Sequence, residues 1–256
     1  TALWISEAQM LSEAERIMHQ MIDFLPLKSY HNIREGNALR MDWDVIEIPS
    51  NIPTIHAKNV HLIVEPEPQM ASDPIIKYDE INVVTHKFDG EAKPDRQRYK
   101  VSYNYIIGNP PFVGYSLQSK EQKDDILSIF LGVDGKPIKQ AGKIDYVAGW
   151  YYKAAKLMQT SRSTRAALVS TNSITQGEQV AAIWKPLKEM FGIHIDFAYR
   201  TFRWDSEAAL KAHVHCVIVG FSTVKVPKYI YDGDKKKVVN NINGYLIDAD
   251  DVYIDT

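Results

Sequence analysis

Apolar positions along the chain recur at two spacings, which predict helices alternating with strands. Spacings of three and four residues predict helices at residues 2–20, 118–131, 144–158 and 178–191. Short apolar runs predict strands at residues 31–39, 103–107, 166–170, 193–199 and 214–221. In the last of the helices, the residues predicted to face the core are Val180, Ile183, Trp184 and Leu187. This alternation is typical of a doubly wound α/β sheet.

Other stretches do not follow the alternation. Residues 44–104 are rich in proline and β-forming residues at uneven spacing, and we interpret them as an insertion between two core strands. Residues 202–212 are predicted to form a loop. After Pro227, a turn at Asp232-Gly233-Asp234 predicts a small hairpin that leads out of the core.

A stiff loop with hydrogen-bonding groups follows one of the predicted strands. The apolar run ends at Gly108, and Asn109, Pro110, Pro111 and Phe112 come next. The two prolines fix φ near −65° and remove two backbone donors. The Asn109 Oδ1 atom and the Pro110 carbonyl can each accept a hydrogen bond from the exocyclic amine of a nucleobase, and Phe112 can stack on its ring. The alternative interpretation is a plain Pro-Pro turn after a buried strand.

This Asn-Pro-Pro-Phe sequence resembles motif IV of the amino-group DNA methyltransferases, which methylate adenine N6 or cytosine N4. Other segments resemble further motifs in the family's order: the motif III strand end at 36–43, the helix after motif IV at 145–152, the motif VI strand and loop at 165–174, and the motif VII to VIII hairpin at 202–221. Within the family, the resemblance is closest to the type IIG restriction–modification enzymes, which residues 3–10 and 243–249 also suggest.

The resemblance implies the Rossmann-like α/β sheet of S-adenosylmethionine-dependent methyltransferases, a three-layer core with an antiparallel last strand inserted as in a hairpin. No two glycines lie two positions apart, so the family's glycine-rich cofactor loop is absent from the sequence. We therefore expect a sheet that is incomplete at its N-terminus, in a fragment that binds the cofactor weakly or not at all. Residues 1–225 are expected to form a partial catalytic domain, and residues 226–256 a linker or hairpin that leads to a target-recognition domain.

The resemblance implies catalytic roles on a base flipped out of double-stranded DNA for Asn109, Pro110, Pro111 and Phe112. The two acceptors would favour a pyramidal amine nitrogen and stabilise the charge that develops there. Phe112 would stack on the base, and Trp204 or Phe202 would supply a second aromatic ring, with Trp204 slightly preferred. Packing under the loop at 202–212 is the alternative for both of these rings.

Cofactor contacts are expected from Asn37, Ala38 and Asn109. Both asparagines directly follow predicted strands, and ligands of open α/β sheets bind at the carboxyl ends of the strands. Many family members have an acidic residue at the position of Asn37, whose amide could still bind the cofactor adenine. A turn residue after Gly36 is the alternative.

Polar residues around these positions have simpler predicted roles. Asp145 and Tyr146 begin the helix where the family keeps groups near the cofactor pocket, and capping of that helix is the preferred role for Asp145. Lys153 and Lys156 are predicted to face solvent. Asn172-Ser173 could shape the pocket or serve only as a loop.

The composition bears on DNA binding, disulfides, metal sites and membrane insertion. The chain has 30 basic and 32 acidic side chains, without the basic surplus of many DNA-binding modules. The basic clusters at 93–100 and 235–237 are interpreted as solvated loops, with DNA contact as the alternative. The single cysteine, Cys216, excludes an internal disulfide, fits the cytoplasm and is predicted to pack in the core. His213 and His215 are interpreted as strand residues, no Cys/His cluster has zinc-site spacing, and no apolar run approaches the length of a membrane span.

The leading hypothesis is a site-specific DNA methyltransferase of a restriction–modification system. Phenylalanine at the fourth motif position favours adenine N6 by resemblance. One alternative is a methyltransferase that acts on RNA bases or on protein glutamine, where Asn-Pro-Pro loops also occur. Another is a non-catalytic binding module that kept the sheet and lost the cofactor loop. A nuclease and a target-recognition domain could share the polypeptide outside this chain.

Overall fold

The structure, a computed structural model, describes residues 36–49, 96–204 and 214–253. The strands in these ranges are β1 (Val45–Pro49), β2 (Arg96–Lys100), β3 (Tyr105–Gly108), β4 (Arg165–Thr171), β5 (His194–Trp204), β6 (Val214–Ser222), β7 (Lys228–Asp232) and β8 (Lys235–Val239). The α-helices are α1 (Lys120–Ile129), α2 (Ala148–Leu157) and α3 (Gly177–Phe191). The predicted helix at 2–20, and the part of the predicted strand at 31–39 that precedes Gly36, lie outside the described residues.

Six of the strands form one mixed sheet in the order β3-β4-β6-β5-β7-β8. Strands β3 and β4 are parallel, as strands joined through helices usually are. Strand β6 lies between β4 and β5 and is antiparallel to both, with Leu168 and Ala198 opposite Val219. This arrangement confirms the α/β fold and the antiparallel strand inserted as in a hairpin.

One face of the sheet packs against α2 and α3. The fully buried Tyr151 of α2 stacks on Phe221 of β6, with ring centroids 5.1 Å apart, and meets Trp184 of α3 edge-on at 5.5 Å. The Tyr151 hydroxyl lies 2.8 Å from Ser170 Oγ, which satisfies both polar groups inside the core. The predicted inward residues of α3 are all buried: Val180, Ile183, Trp184 and Leu187. The described residues thus show two layers, and the third layer of the expected core stays a prediction.

The boundary of one predicted element is wrong. Strand β5 continues to Trp204, so the loop predicted from residue 202 onward begins later. Register shifts at Ile195/Phe197 and Tyr199/Phe202 let β5 keep its pairing with β6 despite the extra residues, and Phe202 lies opposite Cys216. Ala38–Arg40 forms a short 3-10 helix directly after Gly36-Asn37, where the strand at 31–39 is predicted to end. Cys216 itself is buried in β6, which confirms its packing role.

The predicted C-terminal hairpin is present, but it extends the main sheet. Strand β7 runs parallel to β5, with Phe197 opposite Tyr229, and β8 pairs antiparallel with β7. The basic run Lys235-Lys236-Lys237 is exposed on β8 and does not form a loop. That residues 226–256 lead to a recognition domain stays a prediction.

The two ends of the stretch at 44–104 are neighbours in space. Strands β1 and β2 pair antiparallel, from Val45 opposite Lys100 to Pro49 opposite Arg96. This pairing brings residues 45 and 100, near the two ends of the stretch, side by side. In the part of the chain that the structure describes, no helix is long and apolar enough to cross a membrane.

Helix α1 begins with a capping box. Ser119 Oγ accepts a hydrogen bond from Gln122 N at 3.2 Å, and Gln122 Oε1 accepts one from Ser119 N at 3.0 Å. We expect Ser119→Ala to lower the free energy of unfolding by about 1 kcal/mol, because the helix loses a cap. Urea unfolding would measure this change. Ser116→Ala, which alters an exposed serine just before the helix, is the control, and an equal loss in both variants would contradict the capping role.

Candidate active site

The Asn-Pro-Pro-Phe loop leaves the sheet where parallel strand β3 ends. Gly108 is the last residue of β3, and it lies against Leu168 of β4, whose Cδ2 atom would be 3.2 Å from an added Cβ. Asn109 and Pro111 are exposed, whereas Pro110 is buried. The loop therefore has one buried anchor and presents the Asn109 amide at the carboxyl end of the sheet, as the sequence predicts.

Three hydrogen bonds fix the path of the chain after this loop. Tyr146 N donates to the Val113 carbonyl at 2.9 Å, and Gln118 Nε2 donates to the Ile144 carbonyl at 2.8 Å. Tyr115 N donates to Asp145 Oδ1, also at 2.9 Å. The segment before α2, about 30 residues later in the sequence, thus holds the chain that follows the loop in place.

Asp145 has a different role from the predicted one. Its buried carboxylate does not cap α2, whose N-terminus has no side-chain cap. It accepts hydrogen bonds from Tyr115 N and from Ser173 Oγ, and Ser173 follows β4. Asp145 therefore joins the loop after β3 to the loop after β4. Ser173 thus binds a buried carboxylate, which goes beyond a plain loop role.

Asn37 organises the segment that faces this loop. Its Oδ1 atom accepts a hydrogen bond from Leu39 N at 3.0 Å and begins the short 3-10 helix. Its Nδ2 atom donates to Asp125 Oδ2 and to the Tyr146 hydroxyl, each at 2.9 Å. Both amide hydrogens are therefore engaged, and Oδ1 is the atom that can accept a further hydrogen bond from a ligand.

The carboxylate of Asp125 lies at the centre of this polar cluster. Arg40 Nε donates to Oδ1 at 2.7 Å, and the Tyr146 hydroxyl donates to Oδ2 at 2.8 Å. Burial acts to raise the pKa of Asp125, but the hydrogen bonds from Arg40, Tyr146 and Asn37 together hold this pKa below its ordinary value. Burial raises the pKa of Tyr146. Asp125 is thus ionised at neutral pH, and the Tyr146 hydroxyl keeps its proton.

Lys153 does not simply face solvent as predicted. It is half-buried on α2, and its Nζ donates to the carbonyls of Leu39 (3.0 Å) and Met41. Nζ also lies 5.3 Å from the ring centroid of Trp43, whose Nε1 donates to the Ala38 carbonyl at 2.8 Å. Burial lowers the pKa of Lys153. Lys153 thus ties the segment at 38–43 to α2, whereas Lys156 is exposed as predicted.

A cavity of about 660 Å³ lies between the segment at 36–40, the loop after β3, and helices α1 and α2. The predicted residues that line it are Asn37, Ala38, Asn109, Pro110 and Pro111. Phe112 is half-buried and does not line it. Phe202 does not line it either, and its ring lies 6.4 Å from that of Tyr199. The side chain of Trp204 lies outside the description, so all three base-stacking roles stay predictions.

Sequence reasoning missed part of the cavity wall. The added lining residues are Arg40, Ser119, Glu121, Gln122, Asp125 and Trp150. Glu121 and Asp125 stand four positions apart in a predicted helix, so they share one face, and this spacing could have indicated a polar wall.

The cavity has the size of a small-molecule site, and its lining combines net negative charge with an aromatic surface. Its volume lies within the range of small-molecule sites, roughly 300–1,000 Å³. Glu121 and Asp125 face the single guanidinium of Arg40, which leaves a surplus of negative charge to complement a sulfonium cation. Trp150 offers an aromatic surface for a purine, with Tyr146 packed against it edge-on at 5.4 Å.

Comparisons with known proteins agree with the fold. A family model described as the MmeI DNA-methyltransferase domain matches residues 1–232. DNA methyltransferase A of Bacillus subtilis (strain 168) is 34% identical over 256 residues. A solved structure of the type IIL restriction–modification enzyme MmeI in complex with DNA is similar to this chain with a TM-score of 0.53 and 48% identity. The resemblance to restriction–modification methyltransferases is confirmed.

The chain is short beside both of these relatives. The match to the Bacillus protein covers 99% of this chain and 23% of the relative. The match to the MmeI structure covers 58% of this chain and 20% of the MmeI chain. The similarity thus concerns a small part of each relative.

Proposed function

The chain belongs to the MmeI DNA-methyltransferase domain family, and we propose that the complete protein that carries it methylates adenine N6 in double-stranded DNA with S-adenosylmethionine as the methyl donor. The target base is flipped out of the duplex, and the protein belongs to a restriction–modification system. The supporting observation is the position of Asn109 and Pro110, which directly follow β3 and line the cavity. A nuclease and a target-recognition domain are proposed to lie elsewhere in the polypeptide.

Asn109 Oδ1 and the Pro110 carbonyl are the acceptors for the reacting amine. An exocyclic amine is a poor nucleophile because its lone pair is delocalised into the ring. Two accepted hydrogen bonds favour a pyramidal nitrogen and stabilise the positive charge that develops on it. The prolines and the hydrogen bonds to residues 144–146 hold the loop in place. The loop therefore loses little conformational entropy when the base binds.

The cavity wall supplies the contacts to the methyl donor. S-adenosylmethionine, when bound, supplies an electrophilic methyl group. We assign its contacts to Asn37, Ala38 and Asn109, as the sequence predicts, and add Trp150 as the surface for its purine. Oδ1 of Asn37 is the acceptor left for the purine amine, because the amide hydrogens already bind Asp125 and Tyr146.

Product analysis tests the proposal. The complete protein that carries this chain is incubated with duplex DNA and S-adenosylmethionine labelled in the methyl group, and the DNA is then digested to nucleosides and separated. Label in N6-methyladenine is the expected result. Label in N4-methylcytosine would overturn the choice of base, and label only in RNA or in protein offered in parallel would overturn DNA as the substrate.

We expect Phe112→Ala to weaken methyl transfer more than cofactor binding. Loss of one stacking surface for the flipped base costs roughly 1–3 kcal/mol, or about a fivefold to hundredfold loss in kcat/KM for DNA. Steady-state kinetics and calorimetry with S-adenosylmethionine separate the two effects. Tyr115→Ala removes an exposed ring from the same loop and serves as the control. An equal loss of cofactor affinity and of kcat/KM would contradict base stacking by Phe112.

A further inference from the structure

We infer that Asp125 is a positioning residue, which holds the cofactor-facing wall of the cavity in its binding geometry. This inference rests on the proposed methyltransferase function. It assigns a role to a residue of α1 that lies outside every motif of the family resemblance. Asp125 is buried with only 8% of its surface exposed, yet it lines the cavity.

Three donors from two distant parts of the chain converge on this one carboxylate. Arg40 Nε reaches Oδ1 at 2.7 Å, while Asn37 Nδ2 and the Tyr146 hydroxyl reach Oδ2 at 2.9 and 2.8 Å. Asn37 stands 88 positions before Asp125, and Tyr146 stands 21 positions after it. Asp125 thus connects the segment at 37–40, helix α1 and the start of α2.

The cluster fixes the orientation of Asn37 in particular. Asn37 Nδ2 also donates to the Tyr146 hydroxyl at 2.9 Å, so the two side chains and Asp125 form a closed triangle of hydrogen bonds. With both amide hydrogens directed at this triangle, Oδ1 points the other way, to Leu39 N and to any ligand donor beside it. The Asp125 carboxylate therefore orients the Asn37 amide so that a ligand contacts Oδ1.

A neutral amide cannot replace this carboxylate. The side chain of asparagine at position 125 would have one acceptor oxygen and one NH₂ group, and the NH₂ group would have to face either Arg40 or the pair Asn37 and Tyr146. In both orientations donor meets donor, and at least one hydrogen bond to a charged group is lost. Leu39, which is buried beside Gly149 and Ile126, would still hold the backbone of the segment in the core.

The test compares Asp125→Asn with Asp124→Asn in the complete protein that carries this chain. Asp124 is the adjacent, exposed residue of the same helix, so its variant matches the change in charge without touching the cluster. We expect Asp125→Asn to raise KM for S-adenosylmethionine about tenfold, equivalent to ~1.4 kcal/mol, with a smaller change in kcat and none in KM for DNA. The midpoint of thermal unfolding should fall below that of Asp124→Asn, because a hydrogen bond to a charged group is lost, while kcat and KM for DNA stay close to the wild-type values. A cofactor KM equal in the two variants would overturn the inference.

Tyr146→Phe provides a second variant in case Asp125→Asn fails to fold. It removes one of the three donors and keeps the ring, so we expect KM for the cofactor to rise by a smaller factor, with KM for DNA unchanged and a smaller fall of the unfolding midpoint than in Asp125→Asn. A variant that loses kcat, both KM values and stability together would show a merely structural role and overturn the inference. If wild-type protein transfers no methyl group, the proposed function fails instead, and cofactor affinity measured by calorimetry still reports on Asp125 alone.

Discussion

Asn109→Ala should reduce methyl transfer by about two to three orders of magnitude while the protein stays folded. The variant loses one of two acceptors for the reacting amine, and removing one preorganised group of this kind costs about 10²–10³ in rate. Because Asn109 is exposed at the end of β3, its side chain contributes little to packing. The rate of label transfer to DNA at saturating cofactor measures the first effect, and circular dichroism with thermal unfolding measures the second.

Two further variants make this test specific. Asn104→Ala truncates an exposed asparagine just before β3, far along the strand from the cavity, and should leave the rate unchanged. Asn109→Asp keeps an acceptor oxygen at this position and should retain more activity than Asn109→Ala. If Asn109→Ala is about as active as Asn104→Ala, Asn109 does not accept a hydrogen bond from the reacting amine. The proposed chemistry would then have lost one of its two acceptors.

The parts of this site that are local in sequence could be predicted. The loop at 109–112 stands directly after an apolar strand, so its position at the carboxyl edge of the sheet follows from the sheet rule alone. The same rule predicts Asn37 at this edge, and the structure brings Asn37, together with Ala38, to the cavity. The inward face of α3 followed from spacing. In each case a single segment of the sequence was sufficient to predict the position.

Roles that depend on distant partners could not be predicted. Lys153 was interpreted as solvent-facing because its helix neighbours give no sign of the Leu39 carbonyl, which lies 114 positions away in sequence. Asp125 shares a helix with several charged residues, and only the fold shows that it alone meets Asn37. The spacing of apolar residues indicates which residues are buried and which face of a helix they occupy. The partner of a side-chain hydrogen bond depends on the tertiary structure and cannot be read from that spacing.

Asp145 is the strongest example, and its replacement has the largest expected effect on stability. Asp145→Ala removes the buried acceptor of two part-buried hydrogen bonds, from Tyr115 N and from Ser173 Oγ. We expect a loss of about 3 kcal/mol in the free energy of unfolding, because both hydrogen bonds to this carboxyl group are lost. Methyl transfer should fall as well, since the loop after β3 is no longer tied to the loop after β4. Urea unfolding and the labelled-methyl assay measure the two effects.

Two controls distinguish the loss of the Asp145 hydrogen bonds from the mere loss of a carboxylate. Asp134→Ala removes an exposed carboxylate that accepts one backbone hydrogen bond, from Lys136 N at 3.1 Å, and should cost well under half as much. A double-mutant cycle of Asp145→Ala with Ser173→Ala should give a coupling energy of about 1 kcal/mol or more, because the two side chains are in direct contact. Strict additivity would mean that Asp145 acts on the loop after β3 alone. Since Tyr115 belongs to the segment that the Asn-Pro-Pro-Phe loop leads into, the loss of activity should then persist in Asp145→Ala and be absent from Ser173→Ala.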